Sequence, residues 1–397
     1  MRLQYGPAEE KFRADLVAWL DANAPARELL AIPRVSSADL PDWARAWQRK
    51  LFDHGWLVPG WPPELGGRNA SAVEQMIYFE EMKKAELPRS YNPQGLGIIA
   101  PSLLDYGTEE QQQQFLLPTL KAEIAWSLGM SEPGAGSDLA GLQTRAVLDG
   151  DHFVVNGQKV WTSGAHHSDW NMCFVRTDPD VPKHKGISVL IIDMKSPGVE
   201  PRPFPELSDP DYTDFNEVFL TDVLVPKENL LGELNQGWAL AGGSLAHERA
   251  MLWIEHAYDS QRGVDSLLTL ADAPGPSGAP LRDDPKFRAD VASLYVDAAA
   301  LKLMGYRGFS KFLKGRSAPE HSLLKLFGAE TMQKIMLLGT ESLGVAALDN
   351  DAEGPNVHRT GSWITSWLRS FAGTIPGGTS EIQRNIIAER VLGLPRG

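Results

Sequence analysis

Cysteine is almost absent from this sequence: Cys173 is the only one, which excludes an internal disulfide and any zinc or iron–sulfur site built on several cysteines. Positive charge is also in deficit. Lys and Arg number 38 against 51 Asp and Glu, a net charge of −13, so no basic face is available to neutralise a phosphate backbone and no nucleic-acid partner is expected. No stretch of eighteen apolar residues occurs, so no membrane span is expected. The opening "MRLQYGPAEEKFRADL" lacks the apolar core of a signal peptide and is too acidic for a transit peptide, which points to a cytoplasmic protein. Walker, G-x-S-x-G and strand-linked G-x-G-x-x-G motifs are missing too. His166 and His167, adjacent on a predicted strand, would point to opposite faces, so no metal site is expected.

What is present is ordinary globular material, 43% hydrophobic and 22% charged, long enough for two or three packed domains. From Glu9 to Asn23, Phe12, Leu16, Val17, Trp19 and Leu20 largely follow helical spacing, with acids in the first turn. Trp43, Trp47 and Leu51 mark a second helix ending at Gly55, and Thr108 with Gln111 forms a capping-box pair. After about residue 122 the pattern becomes β-rich. Asn156-Gly157 in "HFVVNGQKVWTS" predicts a hairpin turn between two short strands, followed by strands in "NMCFVRT", "ISVLIIDM" and "FNEVFL". Helical periodicity returns from Gly237, interrupted by the proline-rich loop "ADAPGPSGAPLRDDP". The reading is an α+β chain with an N-terminal α-helical domain (1–122), a middle β-domain (123–230) and a C-terminal four-helix bundle (231–397).

Four stretches carry chemistry. In "WSLGMSEPGAGSDLAG", Gly134 and Gly136 expose backbone amides beside the hydroxyls of Ser131 and Ser137; the loop is either a plain turn or a cradle for a phosphate or polar ring edge. In "KVWTSG", period-two alternation places Trp161 and Ser163 on one strand face, as core or as a stacking surface with a polar partner. In "LAHERAM", Glu248 and Arg249 lie among apolar helix neighbours. Glu248 is either an exposed, paired glutamate or a carboxylate whose pKa is raised toward the range of a general base. In "TIPGGTSEIQRN", Gly377 and Gly378 turn the chain into a helix for which Ser380 and Gln383 stand at capping-box spacing.

Taken in order and spacing, "SEPGAGSD", "NGQKVWTSG" and "GGTSEIQRNIIAERVLGLPR" resemble the acyl-CoA dehydrogenase family over nearly the whole chain. That resemblance implies two helical domains around a β-barrel-like middle domain, tetramers, FAD as cofactor, an acyl-CoA thioester substrate and an electron-transferring flavoprotein as acceptor. It implies that Met130, Ser131, Gly136 and Ser137 meet the flavin or the CoA ester, that Trp161 and Ser163 pack on and bond to the isoalloxazine, and that Gly378, Thr379 and Glu381 contact FAD. Many members place their catalytic glutamate where this chain has Gly377, which keeps only a backbone N–H for the thioester carbonyl. Members that handle branched or long acyl chains carry the base on a C-terminal-domain helix, just before an arginine. Glu248 and Arg249 match that arrangement, making Glu248 the expected α-proton base and Arg249 a substrate contact.

The chain departs from the homotetrameric pattern where a neighbour's FAD is gripped. The arginine and phenylalanine-glycine motif is replaced by "ADAPGPSGAPLRDDPKF", and a later glycine-rich motif is reduced to "TESLGVAAL". This resembles the α2β2 dehydrogenases of actinobacterial sterol side-chain degradation, so the partner is either a second copy in a homotetramer or a paralogous chain in a heterotetramer. Two other functions stay open: a flavin monooxygenase or oxidase on the same fold, and a non-catalytic subunit of a mixed dehydrogenase.

Overall fold

The computed structural model describes residues 5–209, 212–314, 320–349, 357–358 and 361–395, without the side chains of 243–252, 320–322, 357–358 and 361. The chain divides into two compact units, Met1–Glu206 with Pro210–Glu248 and Leu207–Asp209 with Arg249–Gly397.

The first unit begins with helix Pro7–Asn23, where proline at the start costs no intrahelical bond and Glu9 and Glu10 favour the first turn. Phe12, Leu16 and Leu20 are its buried face; Val17 falls off that stripe and is exposed. Helix Asp42–Asp53 buries Trp47 and Leu51, with Trp43 set edge-on to Tyr91 at 4.8 Å. Thr108 and Gln111 form the expected capping box. The Gln111 amide also donates to the carbonyls of Glu228 (2.7 Å) and Leu230 (2.9 Å), which ties the helical layer to the end of the sheet.

That sheet contains β1 (Trp126–Gly129), β2 (Arg145–Asp149), β3 (His152–Lys159), β4 (Trp170–Arg176), β5 (Ile187–Asp193), β6 (Val199–Pro203), β7 (Asn216–Pro226) and β8 (Leu230–Leu231). The order is β6-β7-β3-β2-β4-β5-β8, with β1 added to β4 in parallel. Period-two alternation sorts the central strands between two cores. Met172, Phe174, Ile187, Val189 and Ile191 face the helical layer. Cys173, Val175, Leu190 and Ile192 face a second core shared with β2, β3 and β7.

Asn156-Gly157 does not form the expected hairpin turn. Both residues lie inside β3, where the register against β7 shifts between Val155 and Gly157; the turn sits earlier, at the Asp149–His152 pair. Two contacts explain the bulge. The Asn156 side chain bonds to Asp222 in both directions, at 3.0 and 2.9 Å, and a Cβ at Gly157 would lie 2.6 Å from Thr144 Cα.

In the second unit, helices Gly237–Leu270 (from Arg249), Pro285–Phe312, Glu320–Leu343 and Trp363–Ser370 enclose a core that includes Val264, Leu267, Phe287, Leu294, Ile335 and Trp363. The proline-rich connection folds back on itself, with Leu281 N–H donating to Ala273 O (2.9 Å) and Gly275 N–H to Ala279 O (2.8 Å).

Candidate functional site

Strand β1 delivers Met130 and Ser131 directly into the glycine loop. Met130 is half-buried against the helical core, Ser131 is half-buried, and Gly136 and Ser137 are exposed. A Cβ at Gly134 or Gly136 would meet nothing within 4 Å, and neither glycine has the positive φ that side chains avoid. Among the described residues, nothing therefore demands glycine at these two positions. Close approach by an outside group would.

The loop is anchored from beneath by an ion pair that sequence reasoning missed. Lys159, only 1% exposed, sends its Nζ to Glu132 Oε1 at 2.8 Å and to the Met130 carbonyl at 3.2 Å. Glu132 also accepts from the N–H groups of Gln143 (2.6 Å) and Thr144 (2.8 Å). Burial disfavours the Glu132 carboxylate, but the Lys159 charge and these donors prevail and hold its pKa below the ordinary value. A signal for the pair existed, since alternation counted from the inward Phe153 and Val155 puts Lys159 on the inward face.

Trp161 and Ser163 are not on a strand, contrary to the alternation argument, because β3 ends at Lys159. Trp161 takes φ +60°, which swings its side chain out until it is 59% exposed. The indole is braced edge-on by Phe204 at 5.3 Å and Phe215 at 5.6 Å. Ser163 is half-buried in the turn that follows. That turn is pinned by Gly164 N–H to Asp214 O at 2.7 Å, and Gly164 at φ +69° has no room for a Cβ, which would sit 2.8 Å from Ala38 N. The Val160 N–H donates to Ser131 O at 2.9 Å, so the glycine loop and the Trp161 segment are neighbours. The two histidines lie in this turn and not on a strand, their rings 4.1 Å apart. His166 bonds Asn216 Oδ1 at 3.0 Å and His167 bonds Ser36 Oγ at 2.9 Å, and among the described residues no group of three or more His, Cys, Asp or Glu is placed to hold a metal ion. Burial, then the neighbouring His167, lowers the pKa of His166.

In the second unit, Gly377 (φ +68°) and Gly378 (φ +97°) occupy the left-handed region, which explains two consecutive glycines there. Their carbonyls are held by the Gln383 amide at 2.9 Å and by Lys325 Nζ at 2.7 Å. The helix cap is one residue earlier than expected. Thr379 in extended conformation accepts from Ile382 N–H and is the cap of helix Ser380–Ile386, because Gln383 turns away to hold Gly377. Glu381 is exposed, and its own backbone N–H together with the Thr379 hydroxyl keeps its carboxylate below the usual range. The side chains of Glu248 and Arg249 lie outside the described residues; their backbone belongs to helix Gly237–Leu270.

Sequence profiles for the acyl-CoA dehydrogenase N-terminal, middle and C-terminal domains match residues 9–123, 127–223 and 235–392. The chain belongs to the acyl-CoA dehydrogenase family and is an oxidoreductase acting on the CH–CH group of an acyl-CoA. Among curated relatives, acyl-CoA dehydrogenase IpdE1 of Mycobacterium tuberculosis is 34% identical over 396 residues, covering 98% of each chain. FadE26 of the same organism is 34% identical over 405 residues, covering 100% of this chain and 99% of its own. Among solved structures, the Tcur3481-Tcur3483 steroid ACAD superimposes with a TM-score of 0.82 at 32% identity, covering 100% of both chains. The ChsE4-ChsE5 complex from Mycobacterium tuberculosis gives 0.80 at 33% identity, also covering 100% of both. These place the chain beside the actinobacterial steroid-type members of the family.

Proposed function

We propose that this chain is an FAD-dependent dehydrogenase that introduces an α,β double bond into a bulky acyl-CoA, a steroid side-chain thioester, and works as one chain of a heteromeric assembly. The observation that carries the reading is the exposed Trp161 indole, braced by two phenylalanines next to a loop whose glycines face empty space. That surface fits a flat aromatic cofactor. Trp161 offers a rigid apolar face, and Ser131 and Ser163 offer hydroxyls for a polar ring edge; Met130, Gly136 and Ser137 complete the approach, Ser137 also toward the CoA ester. Gly378, Thr379 and Glu381 are further FAD contacts in this reading. When bound, FAD accepts the β-hydrogen with its electron pair.

The chain's own residues handle the proton and the carbonyl. Glu248 removes the α-proton onto its carboxylate, and Arg249 beside it binds the substrate. The Gly377 N–H donates to the thioester oxygen as negative charge develops there, worth ~3 kcal/mol for a donor of this kind. Glycine at 377 fits this division of labour: a Cβ there would meet nothing within 4 Å, so the corner leaves room for the acyl group. The likeness to the Tcur3481-Tcur3483 steroid ACAD and to the ChsE4-ChsE5 complex supports the steroid substrate and the two-chain assembly, and an electron-transferring flavoprotein is the acceptor we assign.

The test is anaerobic bleaching of protein-bound flavin by short, branched, long and steroidal CoA thioesters, with and without a candidate partner chain. The reading expects bleaching strongest with the steroidal thioester. Absence of bleaching by every thioester in both settings would sink it, and oxygen consumption without bleaching would favour the monooxygenase or oxidase alternative.

A further inference from the structure

The buried Lys159–Glu132 pair does more than fill the sheet's end. Two successive carbonyls, those of Met130 and Ser131, are turned toward β3, one onto Lys159 Nζ at 3.2 Å and the other onto Val160 N–H at 2.9 Å. In a trans peptide the C=O and N–H point in opposite directions. Holding the Met130 carbonyl inward therefore turns the Ser131 N–H outward, next to the segment that carries Trp161. The next amide is already committed, since Glu132 N–H donates to Ala135 O at 2.9 Å. Glu132 in turn fixes the far end of the loop through the amides of Gln143 and Thr144.

We infer that Lys159 and Glu132 are positioning residues for the cofactor: their ion pair locks the Met130–Ser131 peptide so that the Ser131 amide faces out as a donor to the electron-rich edge of a flat ring stacked beside Trp161. The inference rests on the flavin reading above and adds the device that aims the Ser131 amide. A lone buried charge would destabilise the fold, so the informative variants are neutral at both positions. In Glu132→Gln/Lys159→Met the carbonyl loses its donor. In Glu132→Gln/Lys159→Gln the position-159 amide still has an N–H to give to Met130 O.

Two readouts are taken on the full chain freed of flavin. Hydrogen exchange at residues 131–137 reads the clamp without any cofactor, and titration with FAD, followed by the resolved structure of the flavin's visible band, reads its consequence. The Met variant is expected to exchange at least ~10-fold faster in this loop and to bind FAD at least ~10-fold more weakly, while thermal denaturation confirms a native fold. The Gln variant is expected to recover most of both. Wild-type exchange and wild-type FAD affinity in a folded Met variant would overturn the inference, as would equal losses in the two variants. Faster loop exchange in a protein whose wild type binds no FAD, either alone or with a candidate partner chain, would retain the clamp and overturn the flavin reading.

Discussion

At Trp161 the chain accepts a left-handed conformation in a bulky residue, φ +60°, a local cost of order 1–3 kcal/mol incurred to present an indole to solvent. Trp161→Ala should therefore leave thermal stability nearly unchanged, because little of the ring is buried, yet weaken FAD binding about 10-fold, the upper range for an aromatic stacking contact. A melting curve checks the first effect and equilibrium dialysis against FAD the second. Gly164 makes the opposite case: with φ +69° and Ala38 N in the way, Gly164→Ala should cost about 1–3 kcal/mol in urea unfolding. For Glu248 the expected outcome is kinetic. Glu248→Gln should slow flavin reduction by ~10²-fold or more in stopped-flow measurements, and a loss smaller than tenfold would remove it as the base.

Among elements, the loop from β1 to β2 is one whose stability responds to acid. The folded-state pKa of Glu132 lies below its ordinary value, so its ionised form contributes stability above the unfolded pKa. That contribution disappears as pH falls through the folded value. Urea midpoints measured from neutral to strongly acidic pH should show a decline that is shallower in Glu132→Gln/Lys159→Met. Element types were largely legible in the sequence because amphipathic spacing and the Thr108 cap are local signals. The β7 bulge opposite Asn156-Gly157 was not, since it depends on Asp222 and Thr144, distant in sequence. Nor was the cap at Thr379, because Gln383 is drawn to the Gly377 carbonyl and cannot serve Ser380. The same limit applied at the site: the glycine loop and Trp161 could be picked out from the chain, whereas the buried lysine beneath them was signalled only by strand alternation, and its partner Glu132 lies 27 residues away in sequence.

At the level of the whole molecule, helix Pro285–Phe312 leaves Tyr295, Val296 and Leu303 exposed, on a stretch where Ala292, Ala299 and Ala300 add no charge. In the two-chain reading this face is covered by a partner subunit. Val296→Asp with Leu303→Asp should then abolish co-purification with the partner, as size-exclusion chromatography would show, while the isolated chain keeps its melting temperature. A chain that alone carries a full complement of FAD and turns over rapidly would remove the need for the partner.

Cys173 lies in β4 with its side chain in the sheet's inner core, and burial pushes its thiol up to about 11, so iodoacetamide should leave the native protein unmodified near neutral pH. That silence is useful to the spectroscopist. Cysteines introduced at the exposed positions of Asp138 and Arg384 would be the sole reactive handles on the molecule, and a pair of dyes attached there would report any change in their separation as thioester is added, with no background from the native thiol.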